Sequence, residues 1–140
     1  MNAESTPMCV IDSSVVYKWF SADSEANVQQ ALALLEAHSQ GTRVLTAPAH
    51  MPAEVLNGLR YSNLAPSDLH IAAQGLEEAR IVIVPLDAAL LEAAIDLALP
   101  YDLTVHDALF AALAVRLGCE LVTADRKQAR IRECAVRLLP

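Results

Sequence analysis

Five short apolar runs punctuate the chain: Met8–Asp12, Arg43–Ala47, Ile81–Val84, Glu120–Thr123 and Cys134–Leu138. They do not alternate apolar with polar residues, so each predicts a strand covered on both faces. The segments between them carry apolar positions at helical spacing. Ser13 and Ser14 can start a first helix, with Val15, Val16, Trp19 and Phe20 on its apolar face. Ser24–Ser39 predicts a second, with apolar positions at Val28, Ala31, Leu32 and Leu35 and Gly41 breaking it. Pro48 precedes a third, which starts at about Ala49 or Pro52 and runs to Arg60, since Pro suits the first turn of a helix. Glu54 lies about two turns into that helix, among Met51, Val55, Leu56 and Leu59. Pro66–Ala79 and Asp87–Leu99 follow, the latter with Leu90, Leu91, Ala94 and Leu97 on one side and Pro100 as its stop. Arg126–Arg132 predicts a short helix. Strands separated by helices predict an α/β fold, a three-layer α/β/α sandwich around a five-stranded, mostly parallel sheet. No repeat, low-complexity tract or linker divides the sequence, so one domain is expected over 1–140, with its core from about residue 8.

The stretch Thr104–Asp125 brings two aspartates to one place. A helix from Asp107 to Leu117 descends about 15 Å. Gly118 suits its C-terminal turn, and the strand Glu120–Thr123 climbs back at about 3.3 Å per residue. Asp107 and Asp125 are therefore expected at the same end of the fold.

Composition narrows the function. Apolar residues make up 54% and aromatics 4%, which predicts an aliphatic core. No apolar run approaches the ~20 residues that cross a bilayer, so no membrane association is expected. The N-terminal MNAESTPMCVID lacks the basic and hydrophobic regions of a signal peptide. Cys9, Cys119 and Cys134 form no CxxC pair and stand at strand starts, which predicts buried reduced thiols in a cytoplasmic protein. The net charge of −7 argues against tight non-specific binding of nucleic acid. Basic residues concentrate at the C-terminal end, at Arg126, Lys127, Arg130, Arg132 and Arg137. An acidic balance is still compatible with a nuclease whose site is itself acidic.

Four acids invite a chemical reading. Parallel α/β sheets bind ligands beyond the carboxyl ends of their strands. Asp12 ends the first predicted strand, Asp125 follows the fourth, and Asp107 starts the helix leading into it. Glu54 is within reach of the same edge. Each also has an ordinary reading. Asp12 and Asp125 suit helix caps, Thr104 with Asp107 fits a capping box, and Glu54 fits the surface of an amphipathic helix. Together they are harder to dismiss, because two carboxylates about 6 Å apart at an effective dielectric of 20 repel by roughly 3 kcal/mol. A hard divalent cation with oxygen ligands relieves such a cluster, and Mg²⁺ commonly meets phosphate oxygens in that setting. The matching chemistry is phosphodiester hydrolysis.

Four segments carry a family resemblance. Val10–Phe20 (VIDSSVVYKWF), Ala47–Asn57 with Glu54, His106–Ala114 (HDALFAALA) and Leu121–Asp125 (LVTAD) resemble, in order and spacing, the acidic motifs of PIN-domain proteins. The closest likeness is to the VapC-type ribonuclease toxins of bacterial toxin–antitoxin pairs. The resemblance implies metal-dependent cleavage of RNA. It implies Asp12, Glu54, Asp107 and Asp125 as the carboxylates that bind Mg²⁺ or Mn²⁺, directly or through water, and Thr123 as a hydroxyl supporting them. It also implies a homodimer and a small antitoxin protein that covers the site. The chain departs from the pattern at His106, where many relatives have Tyr. It departs again at Arg126-Lys-Gln128, which lacks an aromatic residue often found nearby.

Other residues weigh less. Lys18, His106 and Arg126 are candidates for contact with RNA, against the plainer reading of solvated helix faces. His38, His50, His70 and His106 show no HExxH spacing, and no GxGxxG or P-loop occurs. Ser13 and Ser14 lack a nucleophile elbow and a matching His. A phospho-acceptor role for Asp12 lacks a second aspartate at position 14. Two further readings remain: a PIN-domain RNA-processing nuclease outside a toxin system, and a non-catalytic interaction module.

Overall fold

The structure is a computed structural model and describes residues 6–21 and 28–140. Its centre is a five-stranded sheet, β1 Met8–Ile11, β2 Val44–Pro48, β3 Val82–Val84, β4 Glu120–Thr123 and β5 Val136–Leu138, in the order β3-β2-β1-β4-β5. Every pairing is parallel: Val10 lies beside Thr46 and Leu121, Thr46 beside Val82, and Leu121 beside Val136. Helices α1 Ser13–Phe20 and α2 Val28–Ser39 connect β1 to β2, and α3 Met51–Arg60 and α4 Pro66–Glu78 connect β2 to β3. Helices α5 Ala88–Tyr101 and α6 Val105–Leu117 make the return crossing from β3 to β4. Right-handed crossovers put α1 to α4 on one face and α5 and α6 on the other, in keeping with contacts of α1 with α2 and α3, and of α5 with α6.

The direction of winding reverses between β1 and β4. β1 leads outward to β2 and β3, while β4 leads to β5. In open parallel sheets such a reversal leaves a crevice at the carboxyl ends of the two central strands.

Helix α6 is apolar on all sides, and Ala108 to Ala114 are buried without a break. A helix of that kind belongs at the centre of a layer rather than on a surface. It packs on β1, β2 and β4, with α5 against it. Thr104 caps its start by accepting from Asp107 N at 3.1 Å, and Gly118, with φ 64°, closes its end.

Several expectations change. Residues 24–27 of the predicted second helix lie outside the described residues. Its buried positions are Ala31 and Leu34, while Leu32 is exposed. Leu91 of α5 is likewise exposed, and Ala98 takes the inward place beside Leu97. Pro100 does not stop α5 but sits inside its last turn. The stop is Asp102, in the left-handed conformation at φ 52°, with Leu103 N donating back to Ala98 O at 2.9 Å. The edge strands are not covered on both faces, since Val82, Ile83 and Leu138 are exposed. The helix predicted at Arg126–Arg132 is one 3-10 turn, Gln128–Arg130. Of the free thiols, Cys9 is buried, whereas Cys119 and Cys134 are half-buried. Among the described residues no helix is long and apolar enough to cross a membrane.

Candidate active site

Asp12 is the residue after β1, and its backbone N–H still joins the sheet by donating to Val122 O at 2.9 Å. Its side chain is 3% exposed, at the reversal point. Four donors meet it. Ser14 gives both its hydroxyl and its backbone N–H to Oδ2, Thr123 gives its hydroxyl to Oδ2 at 2.9 Å, and Gln128 Nε2 reaches Oδ1 at 3.2 Å. Burial raises the Asp12 carboxyl above its ordinary range, and these hydrogen bonds pull the other way. Asp12 is also the N-cap of α1, so the ordinary reading and the functional one hold together.

Thr123, the last residue of β4, is fully buried. Its hydroxyl gives its hydrogen to Asp12 and accepts from Asp125 N at 3.0 Å. Asp125 in turn shapes the following loop, since its Oδ1 accepts from Lys127 N at 2.9 Å. That turn brings the chain back to the sheet and returns Gln128 to Asp12.

Asp107 stands in the first turn of α6. Its carboxyl is raised first by burial, then by the negative charges of Glu54 and Asp125, with the Thr104 hydroxyl and His106 opposing. Asp107 thus lies within the field of two acids from separate elements, Glu54 of α3 and Asp125 after β4. Glu54 is in the first turn of α3 rather than two turns in, because the helix begins only at Met51. Ser13 donates its hydroxyl to Glu54 Oε1 at 2.8 Å, and His50 Nε2 lies 3.8 Å from the same oxygen. Glu54 and Asp125 thus both lie near enough to Asp107 to act on its charge, and Asp125 is tied to the buried Asp12 through Thr123.

The weaker candidates are placed unequally. Arg126 is exposed directly after Asp125. His106 is exposed at the start of α6, its carbonyl accepting from His50 Nε2 at 2.9 Å and its ring stacked on His50 at 5.8 Å. Lys18 lies in the last turn of α1, roughly 9 Å along the helix from Asp12.

Sequence reasoning did not find Ser13, Ser14, His50 or Gln128 as parts of this site. Two hydroxyl residues directly after a strand-end aspartate were the available signal for the serines. His50 gave only its place before a helix. Among the described residues no three His, Cys, Asp or Glu side chains are grouped closely enough to hold a metal ion as they stand.

A wholly parallel α/β sheet whose reversal point gathers acids defines the class. The sequence profile of the PIN domain matches residues 9–133, and the chain belongs to the PIN-domain family. No curated protein sequence matches it significantly. Among solved structures it is similar to VapBC2 of Rickettsia felis bound to a DNA fragment from its promoter, with a TM-score of 0.68 at 15% identity, covering 95% of this chain and 99% of that one. It is similar to Mycobacterium tuberculosis VapC20, described as a Sarcin-Ricin loop cleaving toxin, with a TM-score of 0.68 at 19% identity and coverages of 91% and 98%. FitAcB of Neisseria gonorrhoeae gives 0.63 at 20%, with coverages of 92% and 96%. At these identities the likeness speaks to the fold.

Proposed function

We propose that this protein is a divalent-metal-dependent endoribonuclease and the toxin of a toxin–antitoxin pair. The observation that carries the catalytic reading is the grouping of acids at the carboxyl ends of β1 and β4: the buried Asp12 is joined to Asp125 through the Thr123 hydroxyl, and Asp107 is raised by burial and then by the charges of Glu54 and Asp125. Among the described residues no lysine or arginine forms an ion pair with any of these four acids. The donor set is oxygen only, which fits Mg²⁺ or Mn²⁺ rather than a softer metal. An open rim also suits a cation that keeps several of its waters. When bound, such a cation supplies an activated water and stabilises charge on the phosphate.

The chain's own residues then have distinct tasks. Asp12, Asp107 and Asp125 hold the cation, with Glu54 acting directly or through water. Ser14 and Thr123 fix Asp12, and Ser13 fixes Glu54. Arg126, exposed next to Asp125, meets the RNA phosphate more readily than Lys18, with His106, exposed one residue before Asp107, as a further contact. Belonging to the PIN family and the fold likeness to VapC20 support RNA as substrate. The likeness to VapBC2 and FitAcB supports a small antitoxin as partner. A homodimer accords with the exposed apolar row Leu91, Ile95 and Leu99 along α5. A cytoplasmic location follows from this role.

Purified protein incubated with RNA is expected to cleave it with Mg²⁺ or Mn²⁺ and to stop with EDTA. Asp12→Ala is expected to abolish cleavage. Undiminished cleavage by Asp12→Ala, with contaminants excluded, sinks the proposal.

A further inference from the structure

Gln128 is fully buried, yet its amide is only half satisfied. Nε2 donates to Asp12 Oδ1 at 3.2 Å, while Oε1 is buried without a hydrogen-bond partner among the described residues. An apolar side chain of similar size fills the same space and leaves no orphaned oxygen, so packing alone does not account for an amide there. In this contact Nε2 is the donating end of the amide and Asp12 Oδ1 the acceptor.

The distribution of donors over Asp12 gives the amide its meaning. Oδ2 takes the Ser14 hydroxyl, the Ser14 N–H and the Thr123 hydroxyl. Oδ1 takes Gln128 Nε2. Two carboxylate oxygens offer about four acceptor sites, so Oδ2 is saturated and Oδ1 keeps one. We infer that Gln128 is a positioning residue that holds Asp12 Oδ1 so that its remaining acceptor site receives the divalent cation.

This rests on the nuclease reading above. The loop supports it independently, because Asp125 Oδ1 and Asp125 O accept from Lys127 N and Gln128 N and so aim Gln128 at Asp12. One acid thereby shapes the loop that orients another. Groups that orient a metal ligand from behind change affinity by about 10- to 100-fold when lost.

The test is a Mn²⁺ titration of the full chain, read by the electron paramagnetic resonance of free Mn²⁺, with wild type and Gln128→Met side by side. The expected result is a Kd about 10- to 100-fold weaker for Gln128→Met, with cooperative melting of the metal-free protein retained. Equal affinity in folded Gln128→Met overturns the inference and leaves the nuclease reading standing. Absence of Mn²⁺ binding by wild type overturns both. If Gln128→Met does not fold, the wild-type Gln128 side-chain amide decides, followed by ¹⁵N NMR as Mg²⁺ is added. A shift of that resonance supports the inference, and an unmoved resonance while Mg²⁺ binds overturns it.

Discussion

The hydroxyl of Thr123 joins two acids of the rim at once. It donates to Asp12 Oδ2 at 2.9 Å and accepts from Asp125 N at 3.0 Å. Its residue ends β4, beside the strand that Asp12 follows, so one buried hydroxyl sets both carboxylates against the sheet's reversal point.

Thr123→Val keeps the shape and removes both bonds. It leaves the Asp125 N–H without its acceptor and takes one donor from a buried carboxylate, at a cost of about 1–3 kcal/mol. Urea denaturation is expected to show that loss, with Thr123→Ser much closer to wild type. Full stability in Thr123→Val would contradict the assigned role.

Asp107→Asn should stabilise the metal-free protein. A carboxyl raised in the folded state binds its proton more tightly there than in the unfolded chain. Stability therefore falls as pH rises from the unfolded value, 3.8, through the folded one. Above that window the charged form carries its full cost, from burial and from Glu54 and Asp125. Asn escapes it. Allowing for partial exposure, a gain of about 0.5–1 kcal/mol is expected at pH 7, fading below pH 3.8. Melting curves across pH check both the size and the direction.

The same repulsion predicts stabilisation by cations. Mn²⁺ at 100 times its Kd should add about 2.7 kcal/mol to stability. The increase in melting temperature should depend on concentration, reverse with EDTA, and shrink in Asp12→Asn. A melting temperature indifferent to Mn²⁺ would argue against a cation at the rim.

Much of this arrangement was legible along the chain. β4 falls on Glu120–Thr123 as its apolar run predicts, and Thr104 caps α6 as its spacing predicts. These features are local, set by a short apolar run or by a contact three residues long. Leu34 replaces Leu32 on the buried face of α2 because tertiary packing, not spacing alone, rotates that helix. Pro100 remains helical because it falls in the last turn, where Asp102 can take the left-handed stop. Gln128 was illegible because its partner is 116 positions away, and nothing in Arg-Lys-Gln signals burial. The serines had a local signal, but their role depends on Glu54 and Thr123 arriving from other elements.

The most direct measurement is single-turnover cleavage of RNA as a function of Mn²⁺, for wild type and Asp107→Asn. The wild-type rate should rise with Mn²⁺ and saturate. Asp107→Asn should be at least about 10-fold slower at the same Mn²⁺, since loss of a ligand costs no less than loss of a group behind it. A wild-type rate independent of Mn²⁺ and resistant to EDTA, or an Asp107→Asn rate equal to wild type, would contradict the account.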